Sequence, residues 1–263
     1  MILFALIGFT IIGAVAGLLG GLLGIGGGVV TVPCLYFLFR FLGFPESEVM
    51  HLAIGTSLAA MVFNTVSATR GFHKRGSVNW HLFKKVITGL MIGGVLGASI
   101  ANFLAGDVLK FIFSVFLVII AVRFWREPPH KEEEHRIPRP AILYLLTVGI
   151  GAFSNILGIG GGTLLVPLFT SFRLQPKKAI GTSAACTLCV TSLGAVAYLI
   201  LGWQATNFPK NVGYVDLLGF LVVGLASFFS ARIGVRLTHE LDPKKIKRIF
   251  AVVLLVTAVM MFF

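Results

Sequence analysis

Two short glycine runs are the residues in this sequence best suited to chemistry. Residues 24–33 read Gly-Ile-Gly-Gly-Gly-Val-Val-Thr-Val-Pro, and residues 158–167 read Gly-Ile-Gly-Gly-Gly-Thr-Leu-Leu-Val-Pro. Three adjacent glycines disfavour an uninterrupted helix, because each costs about 1 kcal/mol relative to alanine. We therefore predict that the chain breaks at each run and restarts as a short second helix. The amides freed at the restart, which can bind an anion without a buried cation, belong to Gly26, Gly27, Gly28, Val29, Gly160, Gly161, Gly162 and Thr163.

The glycine runs also have a simpler interpretation, in which they only allow two helices to cross closely. Their occurrence in corresponding positions of two halves favours a substrate site over this packing role. A P-loop is excluded, because the Lys-Ser/Thr pair that should follow the last glycine is absent from both copies.

A second duplicated motif supplies hydroxyl groups. Ala-Ile-Gly-Thr-Ser occurs at residues 53–57 and again at 179–183. The hydroxyls could complete a cage around an anion, or could bond a carbonyl of the preceding helical turn. The asparagines within apolar runs could likewise donate to an anion or only bridge helices. The polar candidates are Thr56, Ser57, Asn64, Asn155, Thr182 and Ser183.

Enzymatic chemistry has little support in the sequence. No Asp, Glu, Lys or Arg lies in the middle of a predicted span, and His51 lies at a predicted boundary. No cluster of His, Asp and Glu has the spacing of a metal site or a catalytic triad, so we predict no enzyme activity, cofactor or metal. Cys186 and Cys189 form a C-x-x-C pair, but its apolar setting favours packing over redox chemistry.

The elements that hold these residues are predicted to be membrane helices. Hydrophobic residues make up 57% of the 263 residues and charged residues only 12%, whereas soluble domains carry about 25% charged residues. The formal charge of +12 lies mainly in short loops, where it fixes topology and meets lipid headgroups, so nucleic-acid binding is not expected. Apolar runs long enough to cross a bilayer include 1–19, 52–69, 86–104, 111–122 and 249–263.

Loop charges predict the orientation. Lysines and arginines concentrate in 70–85, 123–139, 173–178 and 232–248, which are predicted to be cytoplasmic, whereas 41–50, 105–110 and 203–213 hold only Lys110 and Lys210. Both termini are then predicted to lie outside, and the chain is expected to be an integral protein of the cell (inner) membrane. Because the N-terminus lacks a basic n-region and a cleavage motif, it is expected to be a retained helix.

The duplicated motifs divide the chain into two transmembrane repeats, 1–124 and 140–263, joined by a cytoplasmic linker, 125–139. About five helical segments per repeat is an odd number, so the second repeat is predicted to be inverted relative to the first. The fold prediction is thus an all-α polytopic membrane protein with broken helices at the paired motifs. Whether the short segments 29–41 and 163–172 cross fully or re-enter stays open.

The paired Gly-Ile-Gly-Gly-Gly-x-x-x-Val-Pro and Ala-Ile-Gly-Thr-Ser motifs resemble those of the TauE/SafE family of sulfite and organosulfur-anion exporters. The resemblance extends over essentially the whole chain, and it implies export of a small sulfur-containing anion.

The sequence hypothesis is therefore a secondary transporter that works by alternating access between two inverted halves. The expected partners are the small anionic substrate and membrane lipid, and a homo-oligomer is compatible with the sequence. The alternative is an uncoupled, channel-like or accessory membrane protein for another small anion.

Overall fold

A computed structural model describes residues 2–126, 139–203, 211–240 and 243–262. These residues form ten α-helices and one short antiparallel β-ribbon. The ribbon was not predicted from the sequence. The helices are α1 (Ile2–Leu23), α2 (Gly28–Phe41), α3 (Glu46–Lys74), α4 (Trp80–Phe103), α5 (Gly106–Arg126), α6 (Pro140–Ile156), α7 (Gly162–Ser171), α8 (Pro176–Leu201), α9 (Leu217–Glu240) and α10 (Pro243–Phe262), and the ribbon consists of β1 (Asn211–Val212) and β2 (Val215–Asp216).

The chain is an all-α polytopic membrane protein, as predicted. Helices α1, α3, α4, α8 and α9 are each long and apolar enough to cross a bilayer. Large apolar side chains cover the outer faces of the helices; on α9, for example, Phe229 is 63% exposed. In water such a surface would be unfavourable, but in lipid it is the expected exterior.

Helices of the two predicted halves pack against each other. Helix α1 of the first half packs along α9 of the second, and helix α6 of the second packs along α4 of the first. Glycines bring these backbones together: a Cβ on Gly17 would lie 2.5 Å from the carbonyl oxygen of Ser227, and one on Gly97 would overlap the carbonyl of Ala152. Small residues at these positions thus allow the two pairs of helices to pack closely.

Helices α3 and α8, which we call the central helices, pack against each other and are the most buried of the five long apolar helices. These two helices carry the duplicated Ala-Ile-Gly-Thr-Ser motif at their N-terminal ends. Helix α3 also packs against α9, and α8 packs in the corresponding way against α4. The reciprocal pairing is what a pseudo-twofold relation between the halves would produce, although the inversion itself stays a prediction.

Helices α1 and α2 form an antiparallel hairpin with its tip at the first glycine run. The rings of Phe4 and Phe41, from opposite ends of the pair, lie 5.1 Å apart. At 1.5 Å per residue, the 14 residues of α2 and the 10 of α7 extend about 21 Å and about 15 Å. Both are shorter than the roughly 30 Å hydrocarbon core, so their lengths favour re-entry over a full crossing.

The proposed division into 1–124, 125–139 and 140–263 stays a prediction. Most of the linker, residues 127–138, lies outside the described residues. The first two linker residues, Trp125 and Arg126, are the last two residues of α5. The last linker residue, Arg139, immediately precedes α6.

Candidate functional site

The first glycine run interrupts the chain between α1 and α2, as predicted. Helix α1 ends at Leu23 and α2 begins at Gly28. Gly27 caps α2 with φ 86°, a left-handed conformation that a side chain would strain. The first backbone bonds of α2 run from the amides of Val30 and Thr31 to the carbonyl of Gly27. The amides of Gly28 and Val29 therefore precede the first intrahelical bond.

The second run repeats this geometry between α6 and α7. Gly161 caps α7 with φ 91°, and its carbonyl accepts hydrogen bonds from the amides of Leu164 and Leu165 at 3.0 and 2.9 Å. The amides of Gly162 and Thr163 consequently have no acceptor within their own helix. The prediction of two broken helices is confirmed at both motifs.

The two breaks lie against each other in the interior. A Cβ on Gly28 would lie 2.6 Å from the carbonyl oxygen of Gly158, and a Cβ on Gly162 would lie 2.5 Å from that of Gly24. Each helix start therefore faces the break of the other half at backbone contact distance. Residues 20–33 and 157–163 are all buried, so the two breaks share one buried region.

The serines of the duplicated motif join each half to the break of the other. Ser57 on α3 donates to the carbonyl of Gly158 at 3.2 Å. Ser183 on α8 is placed to donate to the carbonyl of Gly24 at 3.3 Å, and to that of Gly162 at the same distance. Both side chains are fully buried. The structure thus places the two predicted serines directly at the breaks.

The threonines of the motif, one residue before the serines, bind the backbone just before α9 and α4. The Thr56 hydroxyl accepts from the amide of Asp216, just before α9, at 2.9 Å. The Thr182 hydroxyl accepts from the amide of Asn79, just before α4, at 2.8 Å, and donates to the carbonyl of Lys178. The bond to the preceding turn, one of the two sequence interpretations, therefore occurs at Thr182.

The glycines of the same motif allow the loops that precede α9 and α4 to pack closely on α3 and α8. A Cβ on Gly55 would overlap the carbonyl oxygen of Tyr214, and a Cβ on Gly181 would overlap that of Ser77. We call residues 75–79 the first docking loop and residues 211–216 the second docking loop. Each lies on the central helix of the opposite half, beside the threonine that binds its backbone.

The second docking loop carries an aromatic contact with the first half. The ring of Tyr214 stacks on that of His51, with centroids 5.0 Å apart, and His51 Nε2 lies 3.1 Å from the carbonyl oxygen of Ala101. Burial raises the pKa of Tyr214, with a smaller contribution from the Glu48 carboxylate. The phenol is therefore neutral at physiological pH. His51 itself is buried.

The two predicted asparagines differ in their relation to the breaks. Asn64 donates through its side-chain amide to the carbonyl of Gly26 at 2.9 Å, so it contacts the first break directly. Asn155 donates to the carbonyl of Gly94 on α4 at 3.0 Å, which is the helix-bridging role. The side-chain oxygens of both asparagines are buried and have no hydrogen-bond partner.

Several residues at the breaks were missed by the sequence analysis. Met61 and Thr187 lie beside Gly26 and Gly160 at once, and Ser154 lies beside Gly161. The hydroxyls of Ser154, Thr163 and Thr187 are buried without a partner. Alignment of the two repeats could have identified two of these positions, because Met61 and Thr187 each lie five residues after the threonine of their Ala-Ile-Gly-Thr-Ser motif.

The side chains that contact the breaks are uncharged. They are Ile54, Ser57, Met61, Asn64, Thr65, Ser154, Ile180, Ser183, Thr187 and Thr191. The electrostatic character of the region is therefore set by backbone dipoles and hydroxyl groups. Helix N-termini carry about half a positive charge each, so this arrangement suits a small anion.

Among the described residues, neither Cys186 nor Cys189 forms a disulfide or a hydrogen bond with a residue of the two breaks. Cys186 is fully buried on α8, Cys189 is half-buried, and both are free thiols, as is Cys34. Cys186 packs in an apolar cluster with Val190, Phe169 and their neighbours. This is the packing role that its apolar setting favoured.

Comparison with known proteins gives a match over nearly the whole chain. The family model described as "Sulfite exporter TauE/SafE" matches residues 9–261. No solved structure matches the chain.

Curated relatives extend the same similarity. A probable membrane transporter protein of Haemophilus influenzae is 31% identical over 253 residues, covering 96% of each chain. One of Methanocaldococcus jannaschii is 26% identical and covers 90% of this chain and 88% of its own. One of Bacillus subtilis is also 26% identical, over 94% of this chain and 93% of its own. With its motifs, its membrane fold and these matches, the chain belongs to the sulfite exporter TauE/SafE family of membrane transporters.

Proposed function

We propose that this membrane transporter exports a small sulfur-containing anion, of the sulfite or organosulfonate type, by alternating access. The observation that carries the proposal is the contact between the two glycine breaks. It brings the starts of α2 and α7 together in a buried, uncharged region, with Gly28 against Gly158 and Gly162 against Gly24.

The sign of the substrate charge follows from the dipoles of these helix starts. Two N-termini in one low-dielectric region attract negative charge and repel cations. Buried hydroxyl groups without partners, at Thr163 and Thr187, can supply further donors to an oxyanion. The sulfur chemistry rests on the family description, and the outward direction on the exporter part of that description.

Alternating access is supported by the reciprocal contacts of the two halves. Each half supplies one break, one serine that binds the opposite break, and one docking loop on the opposite central helix. In the inverted arrangement that we propose, the two docking loops lie on opposite sides of the membrane. Undocking either loop then opens the central region to one side, while the other side stays closed.

Anion binding is tested by thermal stabilisation of the purified protein with sulfite, thiosulfate, sulfate, sulfoacetate and lactate. A ligand at one hundred times its dissociation constant stabilises the folded state by about 2.7 kcal/mol. We expect a rise in Tm with at least one sulfur anion. No shift with any of these anions would contradict the proposed substrate class.

Gly161→Ala and Gly43→Ala form a matched pair for the site. Both glycines have a left-handed φ, 91° and 85°, and neither Cβ would meet an atom closer than 3.3 Å. Both variants should lose about 1–2 kcal/mol from backbone strain. Only Gly161→Ala, which alters the start of α7, should lose the anion-dependent shift. An equal anion shift in the two variants would contradict this placement of the site.

The proposed orientation and coupling need separate measurements. Single cysteines at the exposed Arg75 in the first docking loop and at the partly exposed Val212 in the second, in a variant without Cys34, Cys186 and Cys189, should react with an impermeant reagent from opposite sides. Flux of radiolabelled sulfite in proteoliposomes then separates the alternatives. A transporter shows saturation and counterflow, whereas an uncoupled channel shows neither.

A further inference from the structure

Positions 61 and 187 are equivalent in the two central helices and meet at both breaks. Each follows the threonine of its Ala-Ile-Gly-Thr-Ser motif by five residues. A Cβ on Gly26 would lie 2.5 Å from Met61 Cε and 2.8 Å from Thr187 Cγ2, and a Cβ on Gly160 would lie 2.8 and 2.9 Å from the same atoms. The two side chains therefore stand where the chain breaks converge.

The Thr187 hydroxyl is buried and has no hydrogen-bond partner. This is unusual for a threonine in a helix, whose hydroxyl ordinarily bonds the carbonyl one turn back. Its neighbours on the same faces do so: Thr191 donates to the carbonyl of Thr187 at 2.9 Å, and Thr65 donates to that of Met61 at 2.8 Å. An unpartnered hydroxyl in the interior costs free energy unless a ligand satisfies it.

Met61 lies beside the Thr187 side chain, whose methyl group Cγ2 faces Gly26 and Gly160 in this structure. Threonine in a helix divides between two rotamers, and rotation about the Thr187 Cα–Cβ bond would turn the hydroxyl toward the breaks. The Met61 sulfur lies 2.7 Å from a Cβ position on Gly28 and 3.6 Å from the Ser57 hydroxyl oxygen. Met is unbranched, and its three side-chain torsions allow it to leave this position at low cost.

We propose that Thr187 is a substrate-contacting residue, whose hydroxyl donates a hydrogen bond to an anion oxygen held between the two breaks. The Met61 side chain occupies this space until the anion enters. The proposal rests on the proposed function, and it adds a substrate-contacting residue on α8 that lies outside both duplicated motifs.

Thr187→Val tests the hydroxyl, because valine keeps the branched shape and removes the donor. Sulfite is the probe, and its dissociation constant is measured by thermal titration and by isothermal calorimetry. We expect the constant to rise about tenfold or more, as expected for loss of a hydrogen bond to a charged group. Without anion, the Tm of Thr187→Val should equal or exceed that of the wild type, because an unsatisfied buried hydroxyl has been removed.

Thr170→Val is the control, since the Thr170 hydroxyl already donates to the carbonyl of Pro167 at 2.9 Å and lies at the end of α7 away from the break. This variant should leave sulfite affinity near the wild-type value. Thr187→Ser retains the donor and should restore most of the affinity. It also provides a comparison with Thr187→Ala should the valine variant fold poorly. Equal sulfite affinity in variants with and without the hydroxyl overturns the role of Thr187, while the transport proposal stands. Absence of sulfite binding to the wild type overturns both.

Discussion

The Ser57 hydroxyl lies 3.2 Å from the carbonyl oxygen of Gly158, although 101 residues separate them in the chain. Ser183 makes the reciprocal contact with Gly24 at 3.3 Å, across 159 residues. Each central helix therefore holds the glycine break of the other half. A movement of one break relative to the other must lengthen at least one of these bonds, so the serines link the halves mechanically.

Replacing either serine should weaken this link. We expect Ser57→Ala and Ser183→Ala each to reduce the free energy of unfolding by about 0.5–1.5 kcal/mol, the usual contribution of one hydrogen bond. Thermal unfolding in detergent measures the loss. Ser192→Ala is the control, because Ser192 bonds only the preceding turn of its own helix, at Leu188, and an equal loss there would argue against a special role for the serine links.

The docking loops should not tolerate a methyl group beneath them. In Gly55→Ala and Gly181→Ala the added Cβ would overlap the carbonyls of Tyr214 and Ser77, and overpacking of this kind costs about 1–3 kcal/mol. We expect a lower Tm and slower sulfite transport in both variants. The exposed Gly149, with no atom within 4 Å of its Cβ position, provides the control: Gly149→Ala should be neutral or slightly stabilising. Unchanged transport in the first two variants would contradict a gating role for the loops.

Contact between the breaks is tested by Gly28→Ala and Gly162→Ala. Both glycines have helical backbone angles, so alanine adds no backbone strain, but its Cβ would press on the opposite break at 2.6 and 2.5 Å. We expect both variants to reach the membrane and to lose most transport activity, measured as sulfite flux in proteoliposomes. Wild-type flux in either variant would show that the breaks need not touch during the transport cycle.

Substrate size should depend on Met61. Truncation to alanine enlarges the space between the breaks and, as for other buried methionines, should cost about 2–5 kcal/mol of stability. We expect Met61→Ala to bind sulfoacetate better relative to sulfite than the wild type does, as measured by the ratio of dissociation constants. Met50→Ala, a truncation of another buried methionine on α3, should lose similar stability without changing this ratio. A changed ratio in both variants would point to a global effect instead.

The membrane class, the positions of the two breaks and the duplicated motifs could all be predicted from the amino-acid sequence. These features are local: apolar runs fix the solvent, and consecutive glycines interrupt a helix wherever it is placed. The helix limits at Leu23 and Gly28 confirm this part of the prediction.

The partner of each polar group, by contrast, could not be predicted and depends on the tertiary fold. Ser57 and Thr56 are adjacent in the chain, yet one binds a break and the other binds the amide of Asp216. Thr187 differs from Thr191 only in whether its hydroxyl has a partner. The β-ribbon at 211–216 also forms where it meets α3 and α8. Such contacts join segments that are distant in sequence, and they depend on the relative placement of whole helices, which no local pattern of residues specifies.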